Sequence, residues 1–517
     1  MTVRKSNKDT ALKHPVSSKT DIKPYVVPPN SGNSTSKLKT TEKIDLIRDA
    51  VRATMKLGVD QYGTPVLVNE SENNPETNRL TSKNINKVII RLAEEKGIHI
   101  SRRVRDEIID QLIDHADASG NTFDVYSRVK KTRDGCIIDV GCESEKRIII
   151  DDGKVVISDK GCDALFIRNA SMRPFVAPTP FKGDIQRLFT YLNMGRTSAW
   201  LLIAWMIYTL STGREGASVY PILVITAEQG SSKSTLCELI IRSLVDPSAL
   251  GIQGFPSDRK DLVIAASHAH VLIYDNLRYL TQKWSDILCI AATGGSDPMR
   301  KLFTDDQLVT HPFKVPLVLN GIHDFIEEPD LAQRCVFIGL DSMDESKRID
   351  SEIFADNFNK DLPFIFKGML ELLAKVLQIV DTVELTHRHR MIRFMKYLAA
   401  IEQVEGLDKG SLQGLYADSF NERQRDVLMS DPLGLIIYEM VAVGHGDTWT
   451  GTPTELLNAV LDHLNDYDSR RRKLPDNPST LSKRLQILKP VLLSQGVEVL
   501  FTRGKERKIT ITNSEAY

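Results

Sequence analysis

The segment Pro221–Ile240, PILVITAEQGSSKSTLCELI, carries the densest chemistry in this chain. An apolar strand runs into a loop of small residues, then Lys-Ser-Thr, then an amphipathic helix, the order a phosphate cradle requires. Loop N–H groups and the positive end of the helix dipole would face the phosphates. Ala227, Glu228, Gln229, Gly230, Ser231, Ser232, Lys233, Ser234 and Thr235 form this candidate nucleotide-binding loop. Lys233 is expected to reach the β- and γ-phosphates of ATP, and Ser234 to place its hydroxyl on Mg²⁺. The strict pattern GxxxxGK[ST] is not met: Ala227 and Ser232 stand where its glycines belong, and only Gly230 supplies free backbone torsions.

Four further segments follow in order. In Ala269–Leu277, AHVLIYDNL, an apolar strand ends in a carboxylate, so Asp275 is the candidate Mg²⁺-coordinating acid beside Ser234. Many ATPases place a glutamate next, to polarise the attacking water; here the residue is Asn276. An amide orients a water but cannot accept its proton. Either another carboxylate is the base, Glu228 being one candidate, or turnover is slow. Asn320, ending the apolar run of FKVPLVLNGIHD, is placed to sense the γ-phosphate and hold the water in line. A turn-forming Asn-Gly pair is an equal reading. Arg334, just before the strand in EEPDLAQRCVFIGL, is a candidate arginine finger reaching into a neighbouring subunit, with an ordinary surface arginine as the alternative. Ala292–Gln307, ATGGSDPMRKLFTDDQ, reads as a glycine-started hairpin carrying Arg300 and Lys301, able to grip the phosphates of a single strand.

With these five segments in this order, residues 181–517 resemble the superfamily III helicases, a branch of the AAA+ ATPases. The likeness is strongest to the ATPase part of phage and plasmid primase-helicases of the poxvirus type. AEQGSSKST matches the phosphate loop, LIYDN the metal strand, ATGGSDPMRKLFTDD the motif particular to that superfamily, and VLNG the sensor strand. The family's arginine finger falls on Arg334. Ala227, Ser232 and Asn276 depart from the pattern, which touches hydrolysis and metal handling more than nucleotide binding. The resemblance implies a ring, expected to be a hexamer, with ATP between subunits and single-stranded DNA moved through the pore by the hairpin. An arginine supplied in trans is itself a reason to expect a homo-oligomer.

The elements that must position these residues follow a coarse plan. At 517 residues the chain is too long for one core. With 41% hydrophobic and 26% charged residues and a net charge of −1, no whole-molecule basic field pulls it onto DNA, so a nucleic-acid surface must be local. Six scattered cysteines suit a reducing cytoplasm. Cys136, Cys142 and Cys162 lie near one another but lack a CxxC pair, so zinc is disfavoured. No signal peptide is visible, and the apolar run Ala199–Leu210 is shorter than the about twenty residues a membrane span needs. A cytoplasmic, soluble protein is expected.

Residues 1–40 read as a disordered basic tail. Residues 41–180 read as an α+β accessory domain: helices over 41–58, 82–96 and 101–118, then short strands broken at Asp134-Gly135 and Asp152-Gly153. In 181–344, helical runs alternate with apolar strands at Ile222–Thr226, Val271–Tyr274, Val315–Leu319 and Val336–Leu340, which implies an α/β core with a parallel sheet. Residues 345–430 read as wholly helical; the resemblance implies a lid there, with Arg390 or Arg393 of Thr386–Leu398 near the nucleotide, a solvated basic face being the alternative. In 431–517, two helices opened by Thr452-Pro453 and Asn477-Pro478 precede a hairpin turning at Arg503-Gly504-Lys505, a winged-helix pattern. Lys483 and Arg484 on the second helix, with Arg503 and Lys505 on the wing, are its candidate duplex-DNA contacts.

Three functions are compatible with this plan. The first is an ATP-dependent DNA translocase or helicase replicating a phage or mobile element, with priming left to a separate primase. The second is a slowly hydrolysing, nucleotide-switched DNA-binding initiator or loader. A small-molecule kinase is the third, but it leaves the hairpin and the C-terminal module without a role.

Overall fold

The computed structural model describes residues 38–69, 75–141, 146–159, 162–228, 231–294, 299–300, 308–309, 313–322, 325–342, 349–443, 448–464, 474–503 and 507–513. The basic tail expected at 1–40 lies almost wholly outside them. The chain opens with helix Thr40–Thr54, which buries Ile44, Ile47 and Val51 on one face. It stops four residues before the sequence suggests, because Lys56–Asp60 is a strand rather than a last helical turn. There a Cβ on Gly58 would stand 2.6 Å from the Asn121 carbonyl oxygen, so only glycine lets the strand pass. Helices Lys83–Glu95 and Arg102–Ala118 complete a small core around Ile89 and Ile108.

A second, four-stranded antiparallel sheet spans Val129 to Ser158. Its last turn takes positive φ at Asp152 (45°) and Gly153 (69°), as a tight two-residue hairpin demands. The hydrophobic core does not break at residue 180, where the sequence suggested a boundary. Ile138 and Ile148 of this sheet share one core with Trp205, Ile225, Phe366 and Leu398. Helix Arg196–Ser211 lies at its centre, buried on every side from Ala199 to Ser211.

The chemistry-bearing segments sit on a five-stranded parallel sheet. Its strands in chain order are β1 (Ile222–Thr226), β2 (Gln253–Gly254), β3 (Leu272–Leu277), β4 (Leu317–Gly321) and β5 (Cys335–Gly339). In space they run β2-β3-β4-β1-β5, all parallel. The chain leaves β1 toward one edge, returns through β3 and β4, and then crosses to the other side as β5. This reversal beside β1 is a topological switch point, where ligands gather at the carboxyl ends of strands.

Helices Ser351–Ile379, Ile392–Glu405 and Ser411–Ser430 pack onto the same large core. The expected helix over Thr386–Leu398 begins only at Ile392, so Arg390 stands in the preceding coil. The C-terminal part has its own core around Leu433, Leu456, Leu485 and Ile509. It holds helices Pro453–Asp462 and Pro478–Ser494, then a sheet whose outer strands, Thr448–Gly451 and Val497–Arg503, flank Arg507–Asn513. Both helices start as their sequences suggest: Thr452 and Glu455 cap each other, and Asn477 caps Thr480. Among the described residues no helix is long and apolar enough to cross a membrane.

Candidate functional site

β1 delivers the chain to the switch point and stops at Thr226. Ala227 is buried and Glu228 exposed, while Gln229 and Gly230 lie outside the described residues. Ser231 turns inward and donates from Oγ to the Glu228 carbonyl at 2.7 Å. Ser232 adopts φ 64°, ψ 25°, the left-handed conformation a glycine would supply at no cost, and the helix starts at the next residue. The missing second glycine is therefore a matter of sequence, since the backbone still makes its turn. Ser232→Gly is expected to stabilise the fold by about 1 kcal/mol, the usual left-handed penalty of a side chain, as read by urea unfolding.

Lys233 folds back over this loop. Its Nζ donates to the carbonyls of Ala227 and Glu228, each at 2.7 Å, and approaches Ser231 Oγ at 3.5 Å. Partial burial lowers its pKa, while Asp275 and Cys237 nearby hold it up. Ser234 is exposed and Thr235 half-buried on the first helical turn. Beyond them the helix widens to a π turn over Leu236–Ile241, a distortion often found at functional sites.

Asp275 lies two strands away, near the carboxyl end of β3, and is half-buried. Its Oδ1 accepts from the Asn276 N–H at 2.6 Å. The ladder to β4 shifts register between Tyr274 and Leu277, and at that bulge Asn276 takes φ 63° with an exposed side chain. Asparagine tolerates this region better than most residues, which gives Asn276 a backbone reason to be there. Asn276→Gly separates the two roles. For the ATP hydrolysis that the sequence leads us to expect, a backbone role keeps turnover within about twofold of the parent, and a water-orienting amide predicts a fall of at least about tenfold, by steady-state hydrolysis.

Asn320 occupies the strand between them, paired across the ladder with Ile225 of β1. It is fully buried; Nδ2 lies 4.0 Å from Cys237 Sγ and Oδ1 has no protein partner. Leaving a buried carbonyl oxygen unmet costs about 1–3 kcal/mol, so a water or ligand group is called for at this spot. Lys233, Asp275 and Asn320 thus gather at one edge of the sheet.

Arg334 does not join them. It precedes β5 and its carbonyl accepts from the Ile222 N–H at 2.8 Å, which sets it at the amino-terminal edge of the sheet. Rather than projecting outward, its side chain is buried and Nη1 lies 2.6 Å from Asp330 Oδ1. Arg390 pairs with the same carboxylate oxygen at 2.7 Å and is the more exposed of the two.

Sequence reasoning missed a cavity of about 420 Å³ against the loop. Ser231, Ser232 and Thr235 form one wall, and Tyr191, Leu340 and Phe354 supply apolar surface opposite. Tyr191 meets Phe354 edge-on, and its hydroxyl donates to Asp361 at 2.7 Å. Its volume lies in the range of small-molecule pockets. No spacing rule reveals it, because the walls come from segments near 191, 232 and 350.

The hairpin root lies at the amino-terminal edge. Tyr220 N–H donates to the Ala292 carbonyl and Val315 N–H to that of Ala291. Met299–Arg300 then pairs antiparallel with Leu308–Val309, as the sequence suggests. Lys301 lies outside the described residues, and of Arg300 only the backbone is described.

Residues 185–423 match the family model of an actinomycete integrative conjugative element replication protein. Residues 433–516 match the C-terminal domain model of the same replication protein, RepA. This chain is a replication protein of a mobile-element family. A comparison with curated protein sequences gave no match. Among solved structures, the A-form apo structure of the NrS-1 C-terminal region is similar at 10% identity and a TM-score of 0.38, over 90% of this chain and 98% of that one. An A-form apo structure of the same region, residues 305–718, gives 10% identity and a TM-score of 0.36, covering 91% and 98%. Likeness at that level decides neither fold nor activity.

In this replication protein the C-terminal basic residues divide. Lys483 is exposed, whereas Arg484 donates from Nη2 to Asp431 Oδ2 at 2.8 Å and from Nε at 3.2 Å, tying its helix to the start of Pro432–Tyr438. That tie engages the Arg484 guanidinium, whose side chain is still 37% exposed. Arg503 ends its strand opposite Arg507, and Lys505 lies outside the described residues. Cys136 and Cys162 are buried, Cys142 lies outside the described residues, and among those described no three His, Cys, Asp or Glu side chains group as metal ligands.

Proposed function

We propose that this replication protein is an ATP-dependent DNA translocase built on an AAA+ core, acting as the helicase of a mobile element. The observation that carries the reading is the convergence at the switch point. Lys233 stands at a helix start, a cavity of about 420 Å³ lies on one side, and Asp275 and Asn320 stand on the other. In this reading the cavity takes base and ribose, and the loop N–H groups with Lys233 take the phosphates. Asp275 with the Ser234 hydroxyl would hold Mg²⁺, which neutralises charge on the β- and γ-phosphates. The two carbonyls now bonded to Lys233 are what phosphate oxygens would replace. The orphan Asn320 oxygen would accept a hydrogen bond from the attacking water and so hold it in line, without taking its proton.

Arg334 lies at the far edge of the sheet from its own nucleotide loop, which suits action on a neighbour's nucleotide in a ring, proposed as a hexamer. It must first leave Asp330. Arg300 and Lys301 of the hairpin would grip single-stranded DNA, and the C-terminal module, in a winged-helix arrangement, would meet duplex through Lys483 and the wing. Priming is left to a separate chain.

A second reading is favoured by one feature. Asn276 follows Asp275 where a base would stand, and it faces solvent. A nucleotide-switched initiator or loader, hydrolysing slowly, fits that geometry as well. The deciding measurement is ATP hydrolysis with and without single-stranded DNA, beside unwinding of a forked duplex. DNA-stimulated turnover with unwinding is expected; stimulated turnover without unwinding favours the switch, and no hydrolysis under either condition rejects the translocase.

A further inference from the structure

At the sheet edge away from Lys233, a second cavity of about 370 Å³ lies between the accessory strands and the root of the hairpin. Tyr62 and Tyr126 line it from the accessory side, and Arg214, Glu215, Gly294 and Lys314 from the core. Gly294 and Lys314 flank in sequence the segment that carries the Met299–Arg300 and Leu308–Val309 pairing.

The cavity is held in shape before any ligand arrives. Gln61 Nε2 donates to the Val125 carbonyl at 2.8 Å and Gln61 Oε1 accepts from Val125 N–H at 2.9 Å, which locks together the segments bearing the two tyrosines. The cations are committed elsewhere. Lys314 Nζ donates to the carbonyls of Gly216 and Ser218, both at 2.8 Å, and Arg214 donates to those of Ala266 and His270, both at 2.7 Å. They balance charge without offering a phosphate-binding fork.

What remains is two phenol rings, that of Tyr126 with Lys130 Nζ 5.2 Å from its centroid, and two carboxylates, Glu215 and the exposed Asp124. Glu215 Oε2 is buried and has no protein partner. The last torsion of a glutamate is soft, so either oxygen can turn to the opening. Burial pushes this carboxyl up to about 7 against the pull of Arg214 and Lys314, so near neutrality it can either accept or donate. Rings that stack and a carboxyl that meets an N–H describe a slot for a nucleobase rather than for its phosphate.

We propose that this cavity takes one unpaired base of the strand gripped by the hairpin, stacked on Tyr62 and Tyr126 with Glu215 against an amino-bearing edge. The inference rests on the DNA reading above, and it gives the accessory strands a part in binding. The test is fluorescence anisotropy of the full chain with labelled oligo-dC, oligo-dA and oligo-dT. The parent is expected to favour dC and dA over dT, since thymine has no exocyclic amino group. Tyr62→Leu with Tyr126→Leu should weaken all three about tenfold while leaving the salt slope unchanged, because no phosphate contact is lost. Glu215→Gln should shrink the preference for dC and dA, with thermal melting no lower than the parent's, since the neutral amide escapes the burial cost of the carboxylate. Equal affinity of the double variant, or a parent indifferent to base, overturns the slot while leaving the DNA reading intact. A parent that binds none of the three oligonucleotides, with or without nucleotide, overturns both.

Discussion

Lys233→Ala is expected to lower ATP turnover by about a hundredfold or more, with nucleotide binding weakened in parallel. The side chain supplies the one ammonium at the loop, and its Nζ already makes two 2.7 Å bonds to the Ala227 and Glu228 carbonyls. Those oxygens mark where phosphate oxygens would be met. Donors aimed at charge that grows in the transition state are worth about 10²–10³ in rate when removed singly. Alanine also strands two loop carbonyls, so part of the loss falls on binding. Asp275→Asn separates the effects: it keeps Lys233 and should retain nucleotide while losing most metal-dependent hydrolysis. Hydrolysis rates with equilibrium binding of a fluorescent ATP analogue decide the matter. A Lys233→Ala protein that turns over ATP at the parent rate would remove the loop from the mechanism.

Arg128→Ala is expected to cost about 3–5 kcal/mol, the penalty of stripping one partner from a buried pair. Arg128 and Asp246 have side chains 0% and 3% exposed, with Nη2 and Oδ1 3.0 Å apart. The same guanidinium donates to the Pro247 carbonyl at 2.8 Å and lies over the Phe175 ring. Asp246 Oδ2 accepts from the N–H groups of His270 and Val271 at 2.8 and 2.9 Å. Burial pushes the Asp246 carboxyl up, but Arg128, His270 and Arg242 together bring it below its ordinary value. Asp246 directly follows the helical run that starts at Lys233, so the pair ties the accessory strands to the end of that helix. Arg128→Lys cannot reproduce the fork and should recover little of the loss. Urea unfolding checks the magnitude; a shift under about 1 kcal/mol would show that other contacts hold the joint. Acid adds a second signature. Burial holds His270 down to about 3, so the unfolded chain binds its proton first. Stability is then full above about 6.5 and falls as pH drops from there toward 3.

Four of the five parallel strands were readable in the sequence because each is a short apolar run closed by a turn or a polar tip; the edge strand Gln253–Gly254 is too short and polar to show. Ile222–Thr226 is the clearest case. Helix limits were read less well where a local pattern met a distant constraint: the run after Thr41 looks helical to Gly58, yet the passage beside Asn121 makes its end a strand. Arg334 and Arg484 show the same limit for charged residues. Each is an ordinary arginine in sequence, and only a carboxylate brought up by folding, Asp330 or Asp431, decides that it is tied. Asn276 looked like a missing base, whereas its φ of 63° gives it a conformational task.

The turn before Lys233 depends less on glycine than the sequence pattern suggests, since Ser232 makes it in the left-handed conformation. By itself the sequence determined the loop, the strand tips bearing Asp275 and Asn320, and the hairpin between them, because these depend on local order and period. Tertiary structure alone decided the strand order β2-β3-β4-β1-β5, the cavity walled by Tyr191 and Phe354, and the cavity lined by Tyr62 and Glu215. Those features join residues far apart in the chain, and only burial of the shared core fixes which of them meet.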